Sequence, residues 1–374
     1  MGGNGMHTAP NPGPPIKKVH DCSFDRAKTL MRTIETEGMG LEAREGTTAV
    51  IHLTVTQPNS EGQLVEVYNS KDYVKEGLKF ELGRSLHSEA VERMIMHCKP
   101  GSVIDALCTD PDLAYDPTLN IHAQRIPEGA RKMWCSPQGP VGVAQDALKD
   151  PPVIQPQEDS LEPPWQPPRY AMLFHVLLDS VSGEGAVPMY MSAVERLDWV
   201  TSRKAWATEL FQRKMYMRAM RHYKKALLDL ETPCEWYQEE HIIERNQLRL
   251  QLHLNTALCG LKVPPERQFP NLQAPKIHFD PHHDAIFHCT RVLDVDKRNV
   301  KALYRRALAH MIIPPERHIN GLHSALEDLK LAHEIDPQNA DVTRELKRAK
   351  AEQKAVDQKA TNMFTKMIGT GTEV

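Results

Sequence analysis

The chain has 374 residues, 28 of them proline, and a formal net charge of −3 from 46 Lys and Arg against 49 Asp and Glu. That length suits two or three domains, and a charge so close to balance gives no global attraction to nucleic acid. The seven cysteines form no Cys-x-x-Cys pair and their odd number suits a reducing compartment, so they read as free thiols.

Residues 1–20, opening MGGNGMHTAPNPGPPIKK, lack an apolar core, so they are expected to be a disordered tail with neither a secretory signal nor an anchor. Gly2 would suit myristoylation, but Met6 stands where that motif needs Ser or Thr. No apolar run approaches the roughly 18 residues of a membrane span. The expectation is a protein without membrane insertion, cytoplasmic and also nuclear.

Period two begins at Ala49: Ala49, Ile51, Leu53 and Val55 alternate with Val50, His52, Thr54 and Thr56, the pattern of a half-buried strand. GSVIDALCT (101–109) and YAMLFHVLLDSV (170–181) are further strand candidates. Residues 136–170 between them hold nine prolines, which neither a helix nor a central strand tolerates. Strands on both sides make this stretch an insertion, at 116–170, within one β-rich domain spanning 21–185.

From 190 to 340 the period changes to that of helices. Ala207, Ala257 and Ala307 each sit in a helix-forming run and are followed by a second run with its own small residue, Ala219, Ala285 and Ala325. From these the spacing continues identically, through Tyr223, Cys289 and Leu329 and then Ala226, Val292 and Ala332. Helices cross closely where small side chains meet, so the pattern predicts three helical hairpins stacked side by side. The Pro-rich inserts VPPERQFPNLQAPKIHFDP and MIIPPERHIN are predicted loops within the second and third hairpins.

Val342, Leu346, Ala349, Val356, Ala360, Met363 and Met367 then follow a 4,3 spacing broken by Gln353, which predicts one long helix over 341–368 with an apolar stripe. It is expected to cap the stack, with a coiled-coil arm as the alternative. In PHHDAIFHC (281–289), His283 and His288 are five apart and point to different helix faces, so no metal site is expected. No cofactor motif is present.

The three hairpins resemble tetratricopeptide (TPR) repeats. The β-rich half resembles an FK506-binding-protein (FKBP) domain through GQLVEVYNSKDYVKEGLKFELG (62–83), VERMIMHCKPGSVIDALCTDPDLAY (91–115) and LFHVLL (173–178). The resemblance implies a multidomain fold, α+β and then all-α: an antiparallel β-sheet with a short helix, followed by a helical solenoid. With the insert VGVAQDALKDPPVI, the order of parts is similar to the aryl-hydrocarbon-receptor-interacting subgroup of TPR immunophilins.

Carried over position by position, the family's proline-isomerase pocket keeps Tyr115 and Phe174, and has Tyr68 for Phe and Asn69 for Asp. Leu53 stands for a Tyr, His87 and Ser88 for an apolar Val-Ile pair, and Val91 for the Trp floor. The resemblance therefore implies an isomerase fold with a degenerate site and no catalytic residues in working order.

The family's carboxylate clamp for the acidic C-terminus of heat-shock proteins maps to Lys204, Thr208 in place of Asn, Asn255, Lys301 and Arg305. Lys and Arg suit that task because charge-assisted bonds to carboxylates are about twice as strong as neutral ones. The implied function is a co-chaperone adaptor that binds the tail of heat-shock protein 90 or 70 and also contacts a client. An active isomerase targeted by its TPRs, and a TPR scaffold for an unrelated partner, are the alternatives.

Overall fold

The computed structural model describes residues 19–23, 28–59, 61–122, 170–233, 235–236, 238–263, 280–315 and 318–369, with side chains as far as 363. The N-terminal tail to residue 18 and most of the expected insertion, 123–169, lie outside the described residues. The chain divides into two units, Met1–Ala186 and Val187–Val374.

The first unit is a seven-stranded antiparallel sheet. Its strands are β1 (Val19–Asp21), β2 (Leu30–Thr36), β3 (Thr48–Pro58), β4 (Leu64–Asn69), β5 (Leu78–Glu81), β6 (Val103–Cys108) and β7 (Met172–Ser182). Their order is β1-β2-β6-β7-β3-β4, and β5 pairs with the first half of β3. The period-two pattern of β3 is realised: Ala49, Ile51, Leu53 and Val55 face the core. The register puts Leu53 opposite Val176 and Val55 opposite Phe174, and β6 sets Ile104 and Ala106 against the same two β7 residues.

Two helices, α1 (Glu89–Ile95) and α2 (Pro111–Ala114), complete the unit. Ser88 caps α1 by accepting the Val91 N–H, and α1 sends Ala90, Val91, Met94 and Ile95 into the core beneath the sheet. Each large apolar side chain so buried contributes about 1.5–3 kcal/mol. β1 starts inside the stretch expected to be a tail, because Val19 and His20 pair with Thr33 and Arg32.

The second unit contains helices α3 (Ala193–Gln212), α4 (Tyr216–Glu231), α5 (Glu239–Lys262), α6 (Pro281–Val295), α7 (Val300–Ile312), α8 (Gly321–Ile335) and α9 (Ala340–Gly369). Six of them pair as hairpins α3/α4, α5/α6 and α7/α8. Ala207, Ala219, Ala257, Ala285, Ala307 and Ala325 are all fully buried, as close crossing requires. Gly260 is tighter still, since a Cβ there would lie 2.3 Å from the Pro281 carbonyl oxygen. The fold class read from the sequence, a sheet domain followed by helical hairpins, is the one observed.

The corners before α7 and α9 share one construction, with proline in one and lysine in the other. In DKRN and DPQN, Asn299 and Asn339 each cap the next helix through the N–H groups of Ala302 and Val342. Each also donates a side-chain bond back to Asp296 or Asp336, at 3.1 and 3.2 Å. The Asp and Asn make the turn, with Lys297 or Pro337 between them.

The terminal helix α9 differs from the expected continuous cap. Val342, Leu346 and Ala349 are buried against the last hairpin, but Val356 is 50% exposed and Met363 66%. The helix outruns the stack: α8 is only 15 residues long, whereas α9 has 30. The cap therefore ends near Gln353.

Candidate functional sites

The leading helices of the three hairpins, α3, α5 and α7, carry polar residues as i,i+4 pairs, which share a helix face. These are Lys204 with Thr208, Gln251 with Asn255, and Lys301 with Arg305. The structure joins them across the helices. The Lys204 ammonium donates to Gln251 Oε1, and the Arg305 guanidinium donates to the Leu254 carbonyl at 2.7 Å. Thus α5 is bonded to α3 by one expected clamp cation and to α7 by another.

Thr208 meets a residue that sequence reasoning assigned to packing alone, Tyr223. Thr208 Oγ1 donates to its own helix at the Lys204 carbonyl, 2.9 Å, and lies 2.9 Å from the Tyr223 hydroxyl. Thr208 is therefore engaged internally, where a longer Asn would reach further. Lys301 is exposed and free of ion pairs among the described residues.

Charge on this face is positive. Burial lowers the proton affinity of the Arg305 guanidinium, and the neighbouring Cys289 and Cys259 oppose that. Arginine nevertheless stays charged at any physiological pH. The two thiols are pushed up to about 12, mainly by burial, and are neutral.

Behind this face the hairpins are held by polar contacts of three kinds. In the first, Arg203 pairs with Asp229 at 3.0 Å, and Trp199 donates to the same carboxylate. The third has a two-pronged Arg306–Asp328 pair at 2.7 and 2.8 Å. In the second, His253 and His288 meet Nδ1 to Nδ1 at 2.8 Å in a buried site. Burial above all, with Arg249, Arg291 and Lys224 nearby, keeps both rings neutral. His310, bonded to His318, is likewise lowered to about 4, foremost by burial.

The sheet unit presents a cleft of about 540 Å³, lined in part by Gln57, Val67, Tyr68, Tyr73, Leu119 and His122. Tyr68 stacks on Tyr73 with centroids 5.5 Å apart and planes 4° from parallel. Of the four residual pocket positions, Tyr68 alone lines this cleft. Asn69 caps a short 3-10 turn at Ser70–Asp72, accepting the Lys71 N–H. Tyr115 packs its ring on His122 at 4.7 Å, and Phe174 is 1% exposed within the sheet core.

The replaced positions are filled rather than open. Leu53 and Val91, each 2% exposed, belong to the same core as Phe174. His87 lies 4.9 Å from the Phe80 ring and 3.5 Å from Asp116. Ser88 donates its backbone N–H to Asp116 Oδ2 at 2.9 Å and its hydroxyl to the Leu113 carbonyl. Burial raises the Asp116 carboxyl, but bonds from His87 and the backbone of Leu119 and Ser88 outweigh it and hold the group below the usual carboxylate value. The polar pair that replaces an apolar wall is thus bonded inward.

Among the described residues no cluster of His, Cys, Asp and Glu could hold a metal ion, and no helix is long and apolar enough to cross a membrane. The five described cysteines are free thiols.

No protein-family model matches the chain. FK506-binding protein 59 of Drosophila melanogaster is 28% identical over 195 residues, covering 51% of this chain and 38% of that protein. Peptidyl-prolyl cis-trans isomerase FKBP4 of Bos taurus is 31% identical over 149 residues, 40% of this chain and 28% of its own length. Inactive peptidyl-prolyl cis-trans isomerase FKBP6 of Rattus norvegicus is 25% identical over 225 residues, 57% of this chain and 62% of that protein. The chain spans 38% and 28% of the first two relatives.

Proposed function

We propose that this chain, a relative of the FKBP-type TPR immunophilins, is a co-chaperone adaptor. Its helical unit binds the acidic tail of heat-shock protein 90 or 70, and its sheet unit contacts a client or the chaperone body. The observation that carries this reading is the polar face shared by α3, α5 and α7, on which Lys204, Asn255, Lys301 and Arg305 lie at i,i+4 positions and from which Lys204 and Arg305 hydrogen-bond α3 and α7 to α5. Exposed Lys301 and half-buried Arg305 supply the positive charge that a terminal carboxylate needs. Titration calorimetry with a peptide ending in Glu-Glu-Val-Asp tests it: micromolar binding supports the adaptor, and no heat at 100 μM peptide refutes it.

The sheet unit acts by contact rather than by catalysis. A pocket that accepts proline must be dry and open, whereas Leu53, Val91 and Phe174 are packed into the core and His87 and Ser88 turn to Asp116. Turnover of a short proline peptide near background is expected, and robust turnover would restore the isomerase alternative. The order of parts and the segment VGVAQDALKDPPVI support a place in the aryl-hydrocarbon-receptor-interacting subgroup, acting in the cytoplasm and nucleus.

A further inference from the structure

We propose that Gln251 belongs to the peptide site: its amide oxygen holds Lys204 without cancelling the charge of that lysine, and its amide nitrogen donates to a carboxylate of the acidic peptide. The inference rests on the adaptor reading and adds to it a residue that binds the ligand directly.

The orientation of the amide follows from what Lys204 can do. An ammonium has three N–H donors and no acceptor, and here it donates from α3 to Gln251 Oε1 on α5. The oxygen is thereby fixed on the Lys204 side and Nε2 on the other. Neither Nε2 hydrogen has a protein acceptor among the described residues, and the side chain is exposed. Gln247, Gln251 and Asn255 recur at spacing four along α5, so Gln251 stands in a row of amides that no carboxylate interrupts.

The choice of acceptor separates this face from the packing behind it. Behind it, three cations that cross between helices meet carboxylates: Arg203 with Asp229, Lys224 with Asp284 at 2.8 Å, and Arg306 with Asp328. On the face shared by α3, α5 and α7 the crossing cations meet neutral oxygens, Lys204 the Gln251 amide and Arg305 the Leu254 carbonyl. A carboxylate beside Lys204 would offset its charge as seen by an arriving anion, whereas an amide oxygen anchors the ammonium and leaves that charge in place. A peptide carboxylate lying against both residues then accepts one bond from Lys204 Nζ and one from Gln251 Nε2.

The test is calorimetry of the full chain with a peptide ending in Glu-Glu-Val-Asp, at low and high salt, for wild type, Gln251→Met and Gln251→Glu. The side chain is exposed, so neither change should disturb folding, which circular dichroism melts establish. Gln251→Met keeps the length and removes both bonding groups; it should weaken the peptide about three- to tenfold. Gln251→Glu keeps an acceptor for Lys204 but removes the donor and cancels the charge, so it should weaken binding by more than about tenfold and flatten its salt dependence. A residue that served only to brace Lys204 gives the opposite order, with Gln251→Glu binding like wild type and Gln251→Met worse. That order overturns this inference only, as do wild-type affinities in both folded variants. Absence of binding by wild type overturns the adaptor reading and this inference with it.

Discussion

The two units received their polar substitutions in opposite ways. In the sheet unit, the side chains at pocket positions spend their bonding capacity inward: Ser88 and His87 on Asp116, Asn69 on a turn, Leu53 and Val91 in the core. On the helical face, Lys301 remains exposed and Lys204, Asn255 and Arg305 are only partly buried. Residue type at a family position therefore does not decide function. A side chain can recognise a ligand only if its donors are not already consumed by the fold.

Asp116 is where that comparison can be broken most forcefully. It accepts N–H groups from Ser88, Thr118 and Leu119, each at 2.9 Å, and is 1% exposed. Asp116→Ala leaves these donors without their acceptor and should cost about 3 kcal/mol of stability, measured by urea unfolding. It should do so without raising isomerase turnover. A stable variant that turned over proline peptides would mean that the pocket is shut by one carboxylate alone.

Acidification separates the units by a different route. A folded histidine held below its ordinary value of 6.5 takes up its proton later than the unfolded chain does, so stability is complete above that value and falls as pH drops toward about 4 for His310. His253 and His288 move in the same direction. The loss should be on the order of 1–2 kcal/mol per proton at pH 5. Asp116, whose carboxyl is lowered from 3.8, weakens the sheet unit only as pH falls below that ordinary value. Helical circular dichroism melts at pH 7.5 and 5.0 should therefore show a lower midpoint at pH 5.0, and equal midpoints would contradict the buried neutral histidines.

The smallest expected effect concerns α9. Ending the chain after Gln353 removes the segment with exposed Val356 and Met363 and should change stability by less than about 0.5 kcal/mol. Ending it after Asp341 uncovers the positions of Val342, Leu346 and Ala349 and should lower the melting temperature or cause aggregation. Equal melting for the two truncations would remove the cap from the account.

Much of this was legible in the sequence because burial imposes a period. The alternation in β3 and the small residues at helix crossings are local, and both occupy the predicted places. β2 was not: in LMRTIET only Leu30 and Thr33 are buried, three apart, and a register shift between Ile34 and Thr36 breaks the alternation. The stripe on α9 was legible, but its burial was not, because the end of the stack is a tertiary fact.

At the candidate site, the i,i+4 positions could be read as a register. Gln251 was readable by the same rule, four residues before Asn255, and was missed because no charge marked it. Tyr223 gave no local signal, since its hydroxyl finds Thr208 15 positions away in sequence, on another helix.

The central claim is that the helical face binds a carboxylate through charge that the fold leaves unspent. It is tested most directly by titrating wild type and Lys301→Glu with the same Glu-Glu-Val-Asp peptide. Lys301 is exposed at the start of α7, so its reversal should leave folding intact while setting a carboxylate against a carboxylate. Micromolar binding by wild type and none by a folded Lys301→Glu is the predicted result; equal binding by both would contradict it.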